Sequence, residues 1–139
     1  MTAADYALTR TSIMEHEGFD ATPAPDTTGF VVGYGHNFDT DPCTLVQAGN
    51  LLDDDLADRI AALTKAWPPF LTVAGSFQRV ALEMSYQLGV SGLLGFKDFL
   101  HACATGNREA AAQAVLASQL AKQTPSRVAD YVAVLRSGT

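Results

Sequence analysis

Pro68 and Pro69 end a run that carries an apolar residue at nearly every fourth position, and this long helical period with its double stop most constrains the fold. The face is Ala48, Leu52, Leu56, Ile60, Leu63 and Trp67, in steps of four, four, four, three and four, the period of one side of an α-helix. Asp41-Pro42 is a suitable start: aspartate caps orphan amides, and proline at the first helical position has no amide to lose. At the far end proline cannot continue the helix and disfavours helical backbone in the residue before it. The acidic run Asp53-Asp54-Asp55 falls on and around the other faces, where solvated surface is the expected role. The double proline marks the expected boundary between a small N-terminal lobe and a larger helical one.

Upstream, residues near 3–17 suit a first helix with Thr2 as a possible N-cap, an apolar stripe of Tyr6, Ile13 and Met14, and Gly18 closing it after Glu17. Residues 19–40 hold the turn formers Pro23, Pro25, Asp26 and Gly29, then Phe30-Val31-Val32 and Tyr34, which predicts a tight hairpin or three-stranded sheet. Downstream the pattern is helical throughout. Helices are expected from Phe77 to Leu88, ended by Gly89, and from Leu93 to Ala104, with Gly106 after it. The alanine-rich stretch from Arg108 to Lys122 follows, and then a last helix opened by Thr124-Pro125 with Val128, Tyr131, Val132 and Leu135 on one face. The expected class is α+β, mostly helical, with a cleft between lobes where a polymer could lie. At 139 residues the chain suits one domain with a real core.

Composition removes several function classes. A net charge of −6 lacks the basic footprint that phosphate backbones need, so nucleic acid is not an expected partner. No apolar run approaches the eighteen or so residues of a spanning helix, and membrane insertion is not expected. Met1-Thr2-Ala3-Ala4-Asp5-Tyr6 has neither a basic start nor an apolar segment, unlike a secretory leader. Cys43 and Cys103 have no metal-like spacing and are expected as reduced, partly buried thiols. No metal or organic cofactor is implied, and a monomer is expected.

The segment from Glu17 to His36 carries the candidate chemistry. Glu17-Gly18 is followed after eight residues counted from Glu17 by Asp26, then by Thr-Thr-Gly-Phe-Val-Val-Gly-Tyr-Gly-His. Two carboxylates in unlike surroundings are the equipment of glycoside hydrolysis: one protonates the leaving oxygen, the other supports the attacking water or the cationic transition state. A carboxylate in the last turn of a helix faces the negative end of the macrodipole, which helps Glu17 keep a proton. Glu15, two residues earlier, points elsewhere on the helix. Glycines in a strand mark bulges or close approach, as Gly33 and Gly35 do around Tyr34. His36 is expected as a structural hydrogen-bond or ion-pair partner, with one of Asp53 to Asp55 as its possible mate.

These residues resemble the phage-type lysozymes of glycoside hydrolase family 24, over roughly residues 8–139. In that family the first helix ends in Glu-Gly, an acidic residue follows at the same spacing, and a Gly-x-Gly-His segment closes the hairpin, here Gly33 to His36. Met84-Ser85-Tyr86-Gln87-Leu88-Gly89, Gly92, and Gly95-Phe96 resemble the central helix and its turn. Ser118, and Gln123-Thr124-Pro125-Ser126-Arg127 through to Arg136-Ser137-Gly138-Thr139, resemble the C-terminal segment. The resemblance implies a single lysozyme-like two-lobed domain over residues 1–139. Its N-terminal lobe would span about 12–66, and a long helix would connect it to a helical lobe of about 68–139 that also takes the first helix.

It further implies Glu17 as general acid and Asp26 supporting the water or the developing charge. Arg127 would pair with Glu17, with His36 and Thr28 in support. Gly35, Tyr86, Gln87, Ser118 and Thr124 would bind a sugar polymer, bacterial peptidoglycan, cut with inversion at the β-1,4 bond between N-acetylmuramic acid and N-acetylglucosamine. The implied setting is host cytoplasm before release to the wall, or packaging in a virion.

One departure bears on activity. The family carries a catalytic threonine two positions before the first glycine of Gly-x-Gly-His. That position is Val31 here, or Val32 when counted forward from Asp26, because the hairpin is one residue shorter. Valine has the shape of threonine without the hydroxyl, so it can neither give nor take a hydrogen bond from water. Thr27 or Thr28 could take over that contact. Leu120 stands where the family can carry an aromatic cleft residue, and the acidity is unlike many wall-degrading lysozymes. The competing expectation is a weakened or inactive lysozyme fold that serves as a glycan-binding or structural module.

Overall fold

The computed structural model describes residues 10–16, 19–26 and 29–138, residue 26 by its backbone alone. Residues 10–16 are helical (α1), inside the expected first helix; Thr2, Tyr6, Glu17 and Gly18 lie outside the described residues. The chain divides into two compact units, one ending at Asn50 and the other beginning at Leu51. The class is α+β and mostly helical, as expected.

In the first unit three antiparallel strands lie in the order β1 (Asp20–Asp26), β2 (Gly29–Gly33), β3 (His36–Asn37). Asp26 pairs with Gly29, Pro25 with Phe30 and Ala24 with Val31, and the register is irregular between Asp20 and Ala24. Pro23 and Pro25 are tolerated because β1 is an edge strand, where missing amides cost no ladder bond. Between β2 and β3, Val32 pairs with His36 and Val31 with Asn37. The turn works because Gly33 and Gly35 take φ of 67° and 81°, values that side chains rarely adopt.

The long helix begins later than Asp41-Pro42 predicts. It runs Leu45–Ala66 (α2), and its cap is Thr44. Gln47 N–H donates to Thr44 Oγ1 at 3.2 Å, and Thr44 N–H donates to Gln47 Oε1 at 2.8 Å. This reciprocal Thr-x-x-Gln box satisfies two orphan donors, which Asp41 and a proline could not do together. Asp41 instead donates its N–H to the Asn37 carbonyl at 2.8 Å. Of the apolar face, Leu63 is buried and Leu56 and Trp67 are half-buried, whereas Leu52 and Ile60 remain 43% and 40% exposed. A stripe states which side of a helix is apolar; burial also needs a neighbour. Asp53, Asp54 and Asp55 are exposed.

Pro68–Leu71 form a 3-10 turn directly after α2, so the double proline does stop the helix. Gln78 ties this turn to the next helix by donating from Nε2 to the Phe70 carbonyl at 2.7 Å. That helix, α3, runs Gly75–Leu94 but is broken at Gly89, whose φ and ψ are 76° and 162°. Gly89 therefore ends the regular helix where expected, and residues 90–94 continue as a further helical segment rather than opening the next helix. α4 is accordingly shorter, Lys97–Ala104. The expected single helix from Arg108 to Lys122 is two: α5 (Arg108–Leu116) and α6 (Leu120–Gln123). Alanine content favours continuous helix only weakly, and the break after Leu116 coincides with the burial of Leu120. α7 spans Pro125–Ser137, and Val128, Tyr131, Val132 and Leu135 are all buried.

The core joins Phe77, Val80 and Met84 of α3, Phe99 and Cys103 of α4, the small Ala111 and Ala112 of α5, and the α7 stripe. Burial pushes the Cys103 thiol up to about 12, and Cys43 is exposed; both are unpaired. Arg108 closes one end of this unit: its NH1 donates to Ser76 Oγ at 2.9 Å and to the Leu135 carbonyl at 3.2 Å. The second bond satisfies a carbonyl of the last turn of α7. No helix among the described residues is long and apolar enough to cross a membrane.

α5 and α7 are also tied by a bidentate pair, in which Arg136 Nε and NH2 donate to Glu109 Oε2 and Oε1 at 2.9 and 2.7 Å. The Arg136 bond, seconded by Gln113, holds the Glu109 carboxyl down at about 2 against an ordinary 4.5. A depressed carboxylate contributes stability above its unfolded pKa and loses it as pH falls through the folded one. The melting temperature of the wild type should therefore drop more steeply between pH 4.5 and 2 than that of Glu109→Gln. The two slopes should converge in high salt, because the pair is exposed and screened.

Candidate functional site

In the sheet unit, the turn after β3 folds back onto β2. Phe30 N–H donates to Asp39 Oδ2 at 3.1 Å, Phe38 N–H to the Phe30 carbonyl at 3.0 Å, and Asp39 N–H to Asn37 Oδ1 at 2.9 Å. A Cβ on Gly29 would collide with the Asp39 carboxylate, so this close approach requires glycine. The folded-back turn delivers Asp41 to His36, with Oδ2 3.8 Å from Nδ1. The sheet unit thus gives His36 a carboxylate of its own, Asp41, five residues on. A local turn brings Asp41 close, which helical spacing along α2 could not reveal. His36 also meets Phe38 edge-on, ring centroids 4.8 Å apart, and its Nε2 is enclosed with no partner among the described residues. Val31 lies half-buried in mid-strand, and Gly35 is exposed at the hairpin turn. Glu17, Thr27, Thr28 and the Asp26 side chain lie outside the described residues.

In the helical unit, the end of α3 and the start of α7 meet. Gln87 Nε2 donates to Thr124 Oγ1 at 3.3 Å, linking residues 37 apart in sequence. Thr124 has no side-chain capping bond on α7; its hydroxyl donates to the Leu120 carbonyl at 3.3 Å. Next to this link lies a groove of about 450 Å³ lined by Leu52, Leu56, Leu82, Tyr86, Arg127 and Tyr131, with the Arg79–Glu83 ion pair at 2.9 Å on its border. Tyr86 is 44% exposed, and Arg59 sits over its ring, 5.7 Å from the centroid. Tyr86 and Arg127 thus share one groove, and Gln87 and Thr124 share one hydrogen bond.

Ser118 stands elsewhere. It lines a separate hollow of about 540 Å³ with Phe96, Lys97, Asp98 and Ala114, and its hydroxyl donates to the Val115 carbonyl at 2.6 Å. Two participants were not legible as site residues. Arg59 lies beside the apolar stripe of α2, and Tyr131 falls on the apolar stripe of α7, whose spacing points to core alone. The phenol itself is the signal for Tyr131, since a buried Tyr hydroxyl needs a partner. Burial pushes that hydroxyl above its ordinary pKa, and the Arg127 guanidinium opposes the shift.

A half-exposed ring, an amide, a hydroxyl and a guanidinium on neighbouring turns offer donors, acceptors and an apolar face. This set suits a neutral or anionic ligand rich in hydroxyl and amide groups. No cluster of three or more metal-ligating side chains occurs among the described residues. The chain matches no family model and no curated protein.

Proposed function

We propose that this chain is a peptidoglycan hydrolase, a muramidase of the phage lysozyme type with a lysozyme-like two-lobed fold. The observation that carries the reading is the Gln87–Thr124 hydrogen bond. The resemblance assigns these residues to cleft walls from two distant segments, and no local sequence rule would bring them together. The order of elements supports the same reading: a small three-stranded sheet, a helix of 22 residues, then a helical unit.

In this reading Glu17 donates a proton to the leaving glycosidic oxygen. Asp26 supports the water that attacks from the opposite face, and Arg127 orients Glu17 while holding its pKa down against the helix-end effect. Inversion follows from a single displacement by water. The substrate is the bacterial wall glycan, cut between N-acetylmuramic acid and N-acetylglucosamine without a cofactor, by a monomer made in the host cytoplasm or packaged in a virion.

The test is digestion of purified peptidoglycan with mass spectrometry of the soluble fragments. Products with reducing-end muramic acid support the reading; pelleting with intact glycan and no fragments supports the second one, a lysozyme fold kept for binding. Val31 favours that second reading, because its side chain offers no hydroxyl to orient water. Val31→Thr should therefore raise the hydrolysis rate on the order of 10²-fold, the low end for one acid–base contact. A rate unchanged by Val31→Thr would mean that another group already holds the water.

A further inference from the structure

We propose that Tyr131 is a positioning residue for Gln87, fixing its amide so that one N–H is left to meet an acetamido carbonyl of the glycan. The inference rests on the reading of Gln87 as a substrate-binding residue, and the polarity of a short hydrogen-bond relay carries it. Thr124 Oγ1 lies 3.3 Å from the Leu120 carbonyl, which can only accept. The single hydroxyl proton is therefore committed to Leu120, and toward Gln87 the oxygen can only accept. The amide must turn Nε2 to Thr124, at 3.3 Å, which turns Oε1 to the Tyr131 hydroxyl, at 3.5 Å. That hydroxyl then donates.

The relay runs from Tyr131 through Gln87 and Thr124 to the Leu120 carbonyl, with every proton assigned. The second hydrogen of Nε2 has no acceptor among the described residues. Tyr131 is 1% exposed, so its ring is held by the core and its hydroxyl cannot swing to water. Gln87 itself sits two residues before the Gly89 break, at the end of the regular helix. There its own backbone does little to hold the side chain, and an outside anchor has the most effect.

The test compares Tyr131→Phe, Thr124→Val and Thr124→Ser by three readouts. The first is the Gln87 side-chain amide resonances of the uncomplexed protein. The second is titration with an N-acetylglucosamine tetramer, and the third is turnover of peptidoglycan fragments. Tyr131→Phe and Thr124→Val should both shift the Gln87 amide pair and weaken tetramer affinity and raise KM by about five- to tenfold, the effect of one hydrogen bond. Thr124→Ser, which keeps the hydroxyl, should reverse the changes seen in Thr124→Val, and in Tyr131→Phe kcat should stay within about twofold because the reacting groups are untouched.

A merely structural role would lower the melting temperature without splitting KM from kcat and without rescue by serine. Unchanged Gln87 resonances in Tyr131→Phe, or shifted resonances with unchanged tetramer affinity, overturn the proposal. Wild-type protein that binds the tetramer but releases no fragments would defeat the muramidase reading while leaving the positioning measured by the first two readouts.

Discussion

Glu17→Gln is expected to lower peptidoglycan hydrolysis by about 10²–10⁴-fold, the range for loss of one general acid or base. The amide keeps the size of the carboxyl and can still accept a hydrogen bond, but it has no proton to transfer to the leaving sugar oxygen. The loss should fall on kcat and kcat/KM alike, as for an interaction made only in the transition state. The basic limb of the pH–rate profile, which reports ionisation of the acid, should disappear with it. Glu15→Gln is the control. Glu15 is exposed in α1 and has no part in the proposed proton transfer, so its loss should leave the rate unchanged. Equal rates for Glu17→Gln and wild type would remove Glu17 from the mechanism.

Phe99→Ala should be the most damaging single change to the fold, costing about 3–5 kcal/mol. Phe99 is fully buried in α4, and α4 packs on α5, where Ala111, Ala112 and Val115 are also fully buried. Alanines have no side chain that could swing into the space vacated by a ring, so the cavity should persist instead of collapsing. The melting temperature should fall by roughly 10–20 °C for a chain of this size, and Phe99→Leu should recover most of the loss. Urea titration of the three proteins checks this; a Phe99→Ala cost under about 1 kcal/mol would mean that the surrounding helices close over the site.

Where local chemistry acts alone, the sequence was a sufficient guide. The Val128, Tyr131, Val132 and Leu135 stripe is buried as its spacing required. Pro68-Pro69 stops α2, and Gly89 breaks α3. The start of α2 is also legible in the sequence. Asp41-Pro42 is a good cap by residue type, but Thr44-x-x-Gln47 satisfies two donors reciprocally, and the stronger box fixes the boundary.

Other features depended on contacts across the chain. Alanine propensity carries helix past Leu116, yet the chain breaks there and Leu120 is buried, because packing outweighs a few tenths of a kcal/mol per residue. The α2 stripe announced an apolar face, but coverage reached Leu63 and not Leu52 or Ile60. The mate of His36 turned out to be Asp41, chosen by a turn that Asn37 and Asp39 tie back to β2.

By itself, then, the sequence determined the class, the order of sheet and helices, and the faces that can be buried. These follow from dihedral preference and periodicity, which act within a few residues. The tertiary structure alone decided that Gln87 meets Thr124 and Tyr131, that Tyr86 and Arg127 line one groove, and that Ser118 faces another. Such meetings join residues 37 and 44 positions apart. They are selected by how α3 and α7 pack, a sum of many weak contacts with no signature in any one stretch of chain.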